Sequence, residues 1–462
     1  MTLLNTFGSS SSGRCSAKTV AFLAQFLFAS ATYTTQPSVQ TYNLPTRPPY
    51  PTDERNSQST QCMAVAYFVS GIVFAGLITS FYQKRGSPTS NKAICTRTKN
   101  PKRTKHPNFL QVETLDYRRP DHSDKIEYWE TYQNNFLETF KPTEPPQDDI
   151  FQINVLLVDS GIDIAHKAFA FREQAGLIQP WRDYTTNSME LDGVSNPKSS
   201  LVDEFGHGTC GADIIGSIAE SAVIYSARVS KGGSEVDPRI VAKAINDAVN
   251  NAQDIEFQFI IMPLGFPEDS EGLGELEEAI NSASQMGITL IAPAGNEGNC
   301  RNPSPPACYS PVICALSCDG NGTPSGFSPS IYLNTKDKME FLVPGEGIEC
   351  AWIQPGQCHR QQRNLLDTEV LQLDPEEKSG FTYVSGTSFA CSVLGGISMV
   401  TLERLYEIAV RVYKNSDYAK QQVDRARRHR LQDILGQMER PERGAYLLVP
   451  TQVTDEILEK YI

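Results

Sequence analysis

Residues 153–163, "INVLLVDSGID", read as a buried strand that ends in chemistry. A short, nearly unbroken apolar run bounded by a polar turn fits a strand covered on both faces, the pattern of a parallel sheet. The run stops at Asp159, and Ser160 and Gly161 follow as turn residues. Three more runs have the same texture: "AVIYSA" (222–227), "FQFIIM" (257–262) and "ITLIAPA" (288–294). Helical patterns lie between them. Asp237 and Pro238 provide a cap and a first-turn residue ahead of "RIVAKAINDAVNNA", and "LGELEEAINSASQM" stops at Gly287. The alternation predicts an α/β fold, doubly wound, with a mostly parallel sheet and helices on both faces.

Such sheets bind ligands beyond the carboxyl ends of their strands. Asp159 stands at one of these ends and Asn296, in "APAGNEGN", at another. Two further segments carry reactive side chains. In "DEFGHGTCGADIIG" (203–216), His207 opens a helical stretch between Gly206 and Gly208, and the flanking glycines let backbone and imidazole approach another element closely. In "SGTSFAC" (385–391), Ser388 starts an apolar helix whose dipole favours negative charge there, with Thr387 as the expected cap. A nucleophilic serine needs a base, a group to orient that base and donors for an oxyanion. These four segments contain one of each.

Together, "DSGID", "GHGT", "AGNEG" and "GTSFA" resemble the aspartate, histidine, asparagine and serine motifs of the subtilisin-like serine proteases, in that family's chain order. The resemblance covers residues 151–450 and implies a subtilisin-like fold and peptide-bond hydrolysis. Ser388 would be the nucleophile, His207 its base, Asp159 the orienting carboxylate and Asn296 the oxyanion donor. It implies a polypeptide substrate, no required cofactor, and a substrate-pairing strand through Leu264 and Gly265. Structural calcium is common in the family, but no oxygen-ligand cluster here has recognisable spacing, so no metal site is assigned. Asp163 and Asp203 lie near the motifs but are left out of the triad, because only Asp159 directly follows a buried strand; His166 is left out because the resemblance puts it where the family often has a structural histidine.

Departures from the family pattern support a second reading, a catalytically weak or inactive subtilase-like binding or signalling module. Cys210 stands where the family often has a second histidine. Pro263 replaces serine in the family's Ser-Leu-Gly and removes a backbone donor, and Ser392 stands where a proline is usual. A nucleotide-binding α/β domain is disfavoured, since no Gly-rich phosphate loop follows the first strand. The insertion at 352–380 is expected to form a surface loop near the cleft.

The chain has 462 residues, and its net charge of −13 argues against a nucleic-acid surface. Residues 1–31 have the parts of a secretory signal peptide, and the uncharged run 62–82 is long enough to span a bilayer. The basic cluster after it, Lys84 to Lys105, places the C-terminal side in the cytoplasm by the positive-inside rule, making a single-pass membrane protein; secretion is the alternative. Residues 83–150 read as a basic stalk, linker or propeptide-like region containing a short helix closed by Pro142. The catalytic domain is expected at 151–452, with 453–462 as a tail. The eleven cysteines are expected to be free buried thiols, with a Cys300–Cys308 bridge as the alternative in an oxidising compartment, and Cys314 and Cys318 resemble half a zinc site without its second half.

Overall fold

The structure, a computed structural model of the chain, describes residues 113–114, 120–142, 151–185, 197–232, 236–298, 302–329, 339–353, 380–442 and 445–462. The segments 1–31 and 62–82, Cys300 and nearly all of the 352–380 insertion lie outside the described residues. Among the described residues, no helix is long and apolar enough to cross a membrane.

The central sheet is built around β2 (Ile153–Asp159). Next to it lie β4 (Ala222–Arg228), followed by β3 (Ile178–Asp183), on one side. On the other lie β5 (Phe259–Ile261), β6 (Thr289–Pro293), β7 (Val312–Cys318) and β8 (Glu340–Pro344). All these pairings are parallel. A hairpin of β11 (Glu439–Glu442) and β12 (Ala445–Leu448) completes nine strands, with β12 parallel to β8. From β2 the chain first builds to one side and then crosses to the other, so Asp159 ends the strand at the switch point, where a crevice opens.

The helices expected on both faces are present. Asp237 caps α3 (Pro238–Asn250) by accepting from Arg239 N, and Gly287, at φ 78°, follows α4 (Leu273–Gln285). These two helices pack together. The other pair is α2 (His207–Ile218) and the 27-residue α5 (Thr387–Tyr413). Glycines let α5 press close. A Cβ on Gly395 would stand 2.3 Å from Ile261, and one on Gly396 2.8 Å from Ile218. Helix α6 (Ser416–Gln437) returns along α5. A second, antiparallel sheet joins β1 (Glu113–Thr114), β10 (Phe381–Ser385) and β9 (Ile348–Ala351) in the order β1-β10-β9.

Four expectations need correction. Residues 120–140 belong to the folded body, not to a linker. Helix α1 (Pro120–Tyr132) and the turns after it bury Trp129, Tyr132, Leu137 and Phe140, and the Tyr132 hydroxyl donates to Leu448 O. Lys125 also reaches Asp319 at 2.9 Å. The presumed tail is packed as well: Leu458 is fully buried, and Arg404 and Arg411 pair with Asp455. Thr387 is not the cap of α5; Gly386 holds that position and Thr387 is the first helical residue. Cys210 and Cys350 form a disulfide across 140 residues instead of remaining free thiols. Cys314 and Cys318 lie on β7, buried along its whole length, and among the described residues no three His, Cys, Asp or Glu side chains group as a metal site.

Candidate active site

Asp159 leaves β2 almost fully buried and still needs donors for its carboxylate. Ser160 N donates to Oδ1 at 2.6 Å, and His207 Nδ1 lies 2.9 Å from both carboxylate oxygens. An ionised carboxylate only accepts, so Nδ1 carries the proton and Nε2 is left as the acceptor. Nε2 lies 3.0 Å from Ser388 Oγ. The three side chains come from the end of β2, the start of α2 and the first turn of α5. Their exposures of 1%, 1% and 6% describe a dry array with only the serine edge toward solvent.

The glycines around His207 make this approach possible. A Cβ on Gly208 would sit 2.2 Å from Gly161 O and 3.1 Å from Asp159 Cβ. Any side chain there would push α2 off the end of β2. Gly208 N donates to Ser160 Oγ, closing the same contact. Gly206, at φ 101°, lies against the Trp352 ring.

Asp203, set aside in the sequence reading, builds the platform for His207. Its carboxylate accepts from Phe205 N, Gly206 N, Thr209 N and Thr209 Oγ1 at 2.6–3.0 Å. Burial pushes its carboxyl above the ordinary range, while these donors pull it back. An Asp three residues before a glycine that opens a helix was a readable turn signal. His166 is structural: its Nδ1 accepts from Ala168 N and its Nε2 donates to Gly380 O at 2.7 Å. Asp163 accepts from Ala165 N within its own turn.

Thr387 also has a position that sequence reading missed. Asn296 Oδ1 accepts from both Thr387 N and Thr387 Oγ1 at 2.9 Å, which turns the amide nitrogen away from Thr387. That nitrogen lies 3.5 Å, and Ser388 Oγ 3.3 Å, from the point where Gly386 would carry a Cβ. The amide and the hydroxyl therefore converge on one small space that stays open because residue 386 is glycine. The Ser388 N–H belongs to the first turn of α5, whose donors lack intrahelical acceptors. In the implied substrate strand the Leu264 side chain is core and its N–H bonds to Met262 O, and Gly265 is partly exposed.

The Cys210–Cys350 disulfide ties this array together. Cys210 lies three residues after His207 on α2, and Cys350 on β9 pairs in register with Thr382 of β10, the strand that runs into Ser388. Asp213 of α2 also accepts from Ala351 N.

A family model, the subtilase family (Peptidase_S8), matches residues 152–432. The chain belongs to the subtilase family. Its curated relatives include the minor extracellular protease Epr of Bacillus subtilis (strain 168), 31% identical over 34% of this chain and 24% of Epr. The thermostable alkaline protease of Halalkalibacterium halodurans is 34% identical over 43% of this chain and 49% of its own. The chain thus spans about a quarter to a half of these relatives. Among solved structures, the prenylagaramide maturation protease PagA aligns with 73% of this chain and 97% of its own, at 20% identity and a TM-score of 0.45.

Proposed function

We propose that the protein is a serine endopeptidase that cleaves polypeptides through an acyl-enzyme on Ser388. The observation that carries this is the double engagement of His207, with Nδ1 at 2.9 Å from both Asp159 oxygens and Nε2 at 3.0 Å from Ser388 Oγ. Ser388 Oγ attacks the scissile carbonyl carbon as its proton passes to His207 Nε2. Asp159 stabilises the resulting imidazolium and holds its orientation. The oxyanion accepts from the Asn296 amide and the Ser388 N–H, donors already fixed before the charge develops. Collapse breaks the C–N bond, and Nε2 returns its proton to the leaving amine. Water then hydrolyses the ester by the same relay.

The test is cleavage of an internally quenched polypeptide by the full chain and by its Ser388→Ala and His207→Ala variants. Turnover lost in both variants supports the assignment. Turnover that survives Ser388→Ala refutes it. The binding-module reading draws on Pro263 and the internally bonded Leu264 N–H, which leave this strand fewer donors for a peptide. It predicts a folded chain that binds peptide without cleaving it.

The disulfide supports an oxidising compartment for the catalytic domain, because such bridges are rare in the cytosol. The basic flank of the 62–82 run argues for a cytoplasmic catalytic domain, with secretion as the alternative; on the strength of the disulfide we favour an extracytoplasmic domain. Protease treatment of sealed microsomes tests it: protection of the domain without detergent is expected, and cleavage places it in the cytosol.

A further inference from the structure

We propose that a cavity at the amino end of the sheet is a binding site for a small organic ammonium ion with an apolar body, held by Glu403 beside the rings of Phe151 and Tyr406. The site is independent of the acyl-transfer reading. Glu403 shares α5 with Ser388 but lies 15 residues further on, about 22 Å along the helix axis.

Separate pieces of the fold meet at this cavity. Ile218 closes α2, Ser221 leads into β4, Phe151 leads into β2, Pro142 follows the turns after α1, and Glu403 and Tyr406 come from α5. Its volume of ≈ 360 Å³ falls within the range of about 300–1,000 Å³ that small-molecule sites occupy. One part of the wall is apolar. The Phe151 and Tyr406 rings stack with centroids 4.7 Å apart, and Ile218 and Pro142 add to that surface.

The rest of the wall is acidic, and most of it already has a cation. Lys141 pairs with Glu138 at 3.0 Å and with Glu220 at 2.9 Å, and Arg404 pairs with Glu407 at 3.1 Å. Glu403 makes no ion pair of this kind among the described residues. Its donors from Ser221, Oγ at 2.5 Å and N at 3.3 Å, both reach Oε1. Among the described residues Oε2 accepts no hydrogen bond, so it is the acceptor left open to the cavity. Arg172 is near enough to act on Glu403 through its field, but its terminal nitrogens donate to the carbonyls of Gly216, Glu220 and Ala222. Burial therefore raises the Glu403 carboxyl, the mark of a carboxylate short of counter-charge.

An ammonium ion supplies what this wall lacks. Its N–H groups give Oε2 a charge-assisted hydrogen bond, and its carbon body covers ring surface that also favours a cation nearby. A divalent metal ion is a poorer match, because no three His, Cys, Asp or Glu side chains group as a metal site among the described residues. An anion would meet the carboxylate head-on.

The experiment titrates phenethylamine, and separately its neutral counterpart phenethyl alcohol, into the full chain by isothermal titration calorimetry at a pH where Glu403 is ionised. The same titrations are made on Glu403→Gln, with a thermal melt of each sample. Wild type should bind the amine about 10-fold or more tightly than the alcohol, the scale of a hydrogen bond to a charged group. Glu403→Gln keeps an acceptor for Ser221 and loses only the charge, so it should bind the two ligands alike. The amine and alcohol comparison on wild type needs no variant, so a Glu403→Gln chain that fails to fold leaves it decisive. A wild type that binds neither ligand, or both equally, overturns the proposal. An amine affinity that folded Glu403→Gln leaves unchanged also overturns it, by placing the amine elsewhere on the chain.

Discussion

Carboxylates stand at both ends of the central sheet, Asp159 fully buried and Glu403 half-buried, and their surroundings differ in kind. At the carboxyl end, Asp159 receives the His207 imidazole and a backbone N–H. Near the amino end of β4, Glu403 of α5 receives only Ser221 Oγ at 2.5 Å and Ser221 N at 3.3 Å. Glu403 borders a cavity of ≈ 360 Å³ shared with Ile218, Glu220 and the stacked pair Phe151 and Tyr406. Burial pushes its carboxyl up to about 7, against the pull of the Ser221 donors, while Glu220 adds to the rise and Arg172 opposes it. The carboxyl end of the sheet gives its carboxylate an imidazole and a backbone donor, whereas the amino end offers only one serine.

Removing the matched set should have the largest effect. Ser388→Ala or His207→Ala should lower kcat by about 10⁶-fold and Asp159→Asn by about 10⁴-fold, measured as single-turnover peptide cleavage. A loss under 10-fold for any of them would mean the carboxyl-end array is as inert as Glu403. Asn296→Ala should cost about 100- to 1,000-fold in kcat with KM little changed, since its amide meets charge only in the transition state. A loss confined to KM would reassign it to ground-state binding.

The disulfide sharpens the comparison from the stability side. Its two cysteines lie 140 residues apart, so Cys350→Ser should lower unfolding free energy by about 2–4 kcal/mol in urea titration. Because the bridge anchors α2 to β9, which pairs with the strand leading to Ser388, the variant should also lose kcat at temperatures where it is still folded. Equal stability of oxidised and reduced protein would remove the bridge from the account.

The smallest effect belongs to Glu403. Its folded pKa of about 7 exceeds the ordinary unfolded value of about 4.3, so its contribution to stability is fully present below pH 4.3 and is lost as pH rises through 7. Glu403→Gln cannot ionise. Its stability relative to wild type should therefore climb between pH 4.3 and 7 and level off above, by about 1 kcal/mol once solvent reaching the cavity is allowed for. Thermal melts across that range measure it, and a flat difference would show that Glu403 is solvated as well as a surface carboxylate.

The sheet was legible where a strand forms one continuous apolar run, as β2, β4, β5 and β6 do. β3, "IQPWRD", alternates with polar residues at an edge, and β7, "VICALSC", places two cysteines in a buried strand where they draw attention as metal ligands. Helix α1 was legible as a helix, but its burial was not, since Trp129, Tyr132, Leu137 and Phe140 sit among many charges. The four site motifs stood out because each pairs a reactive side chain with small residues at an element's end. What ties them together was hidden. Thr387 holds Asn296 across 91 residues and Cys210 meets Cys350 across 140, and no local spacing encodes either contact.

The most direct test of the central claim is peptide mapping by mass spectrometry after treating the purified full chain with a fluorophosphonate. A single adduct on Ser388, absent from the His207→Ala variant, is the expected result. An adduct on another residue, or a well-folded wild-type chain with no adduct, would contradict the assignment of Ser388 as a nucleophile activated by His207.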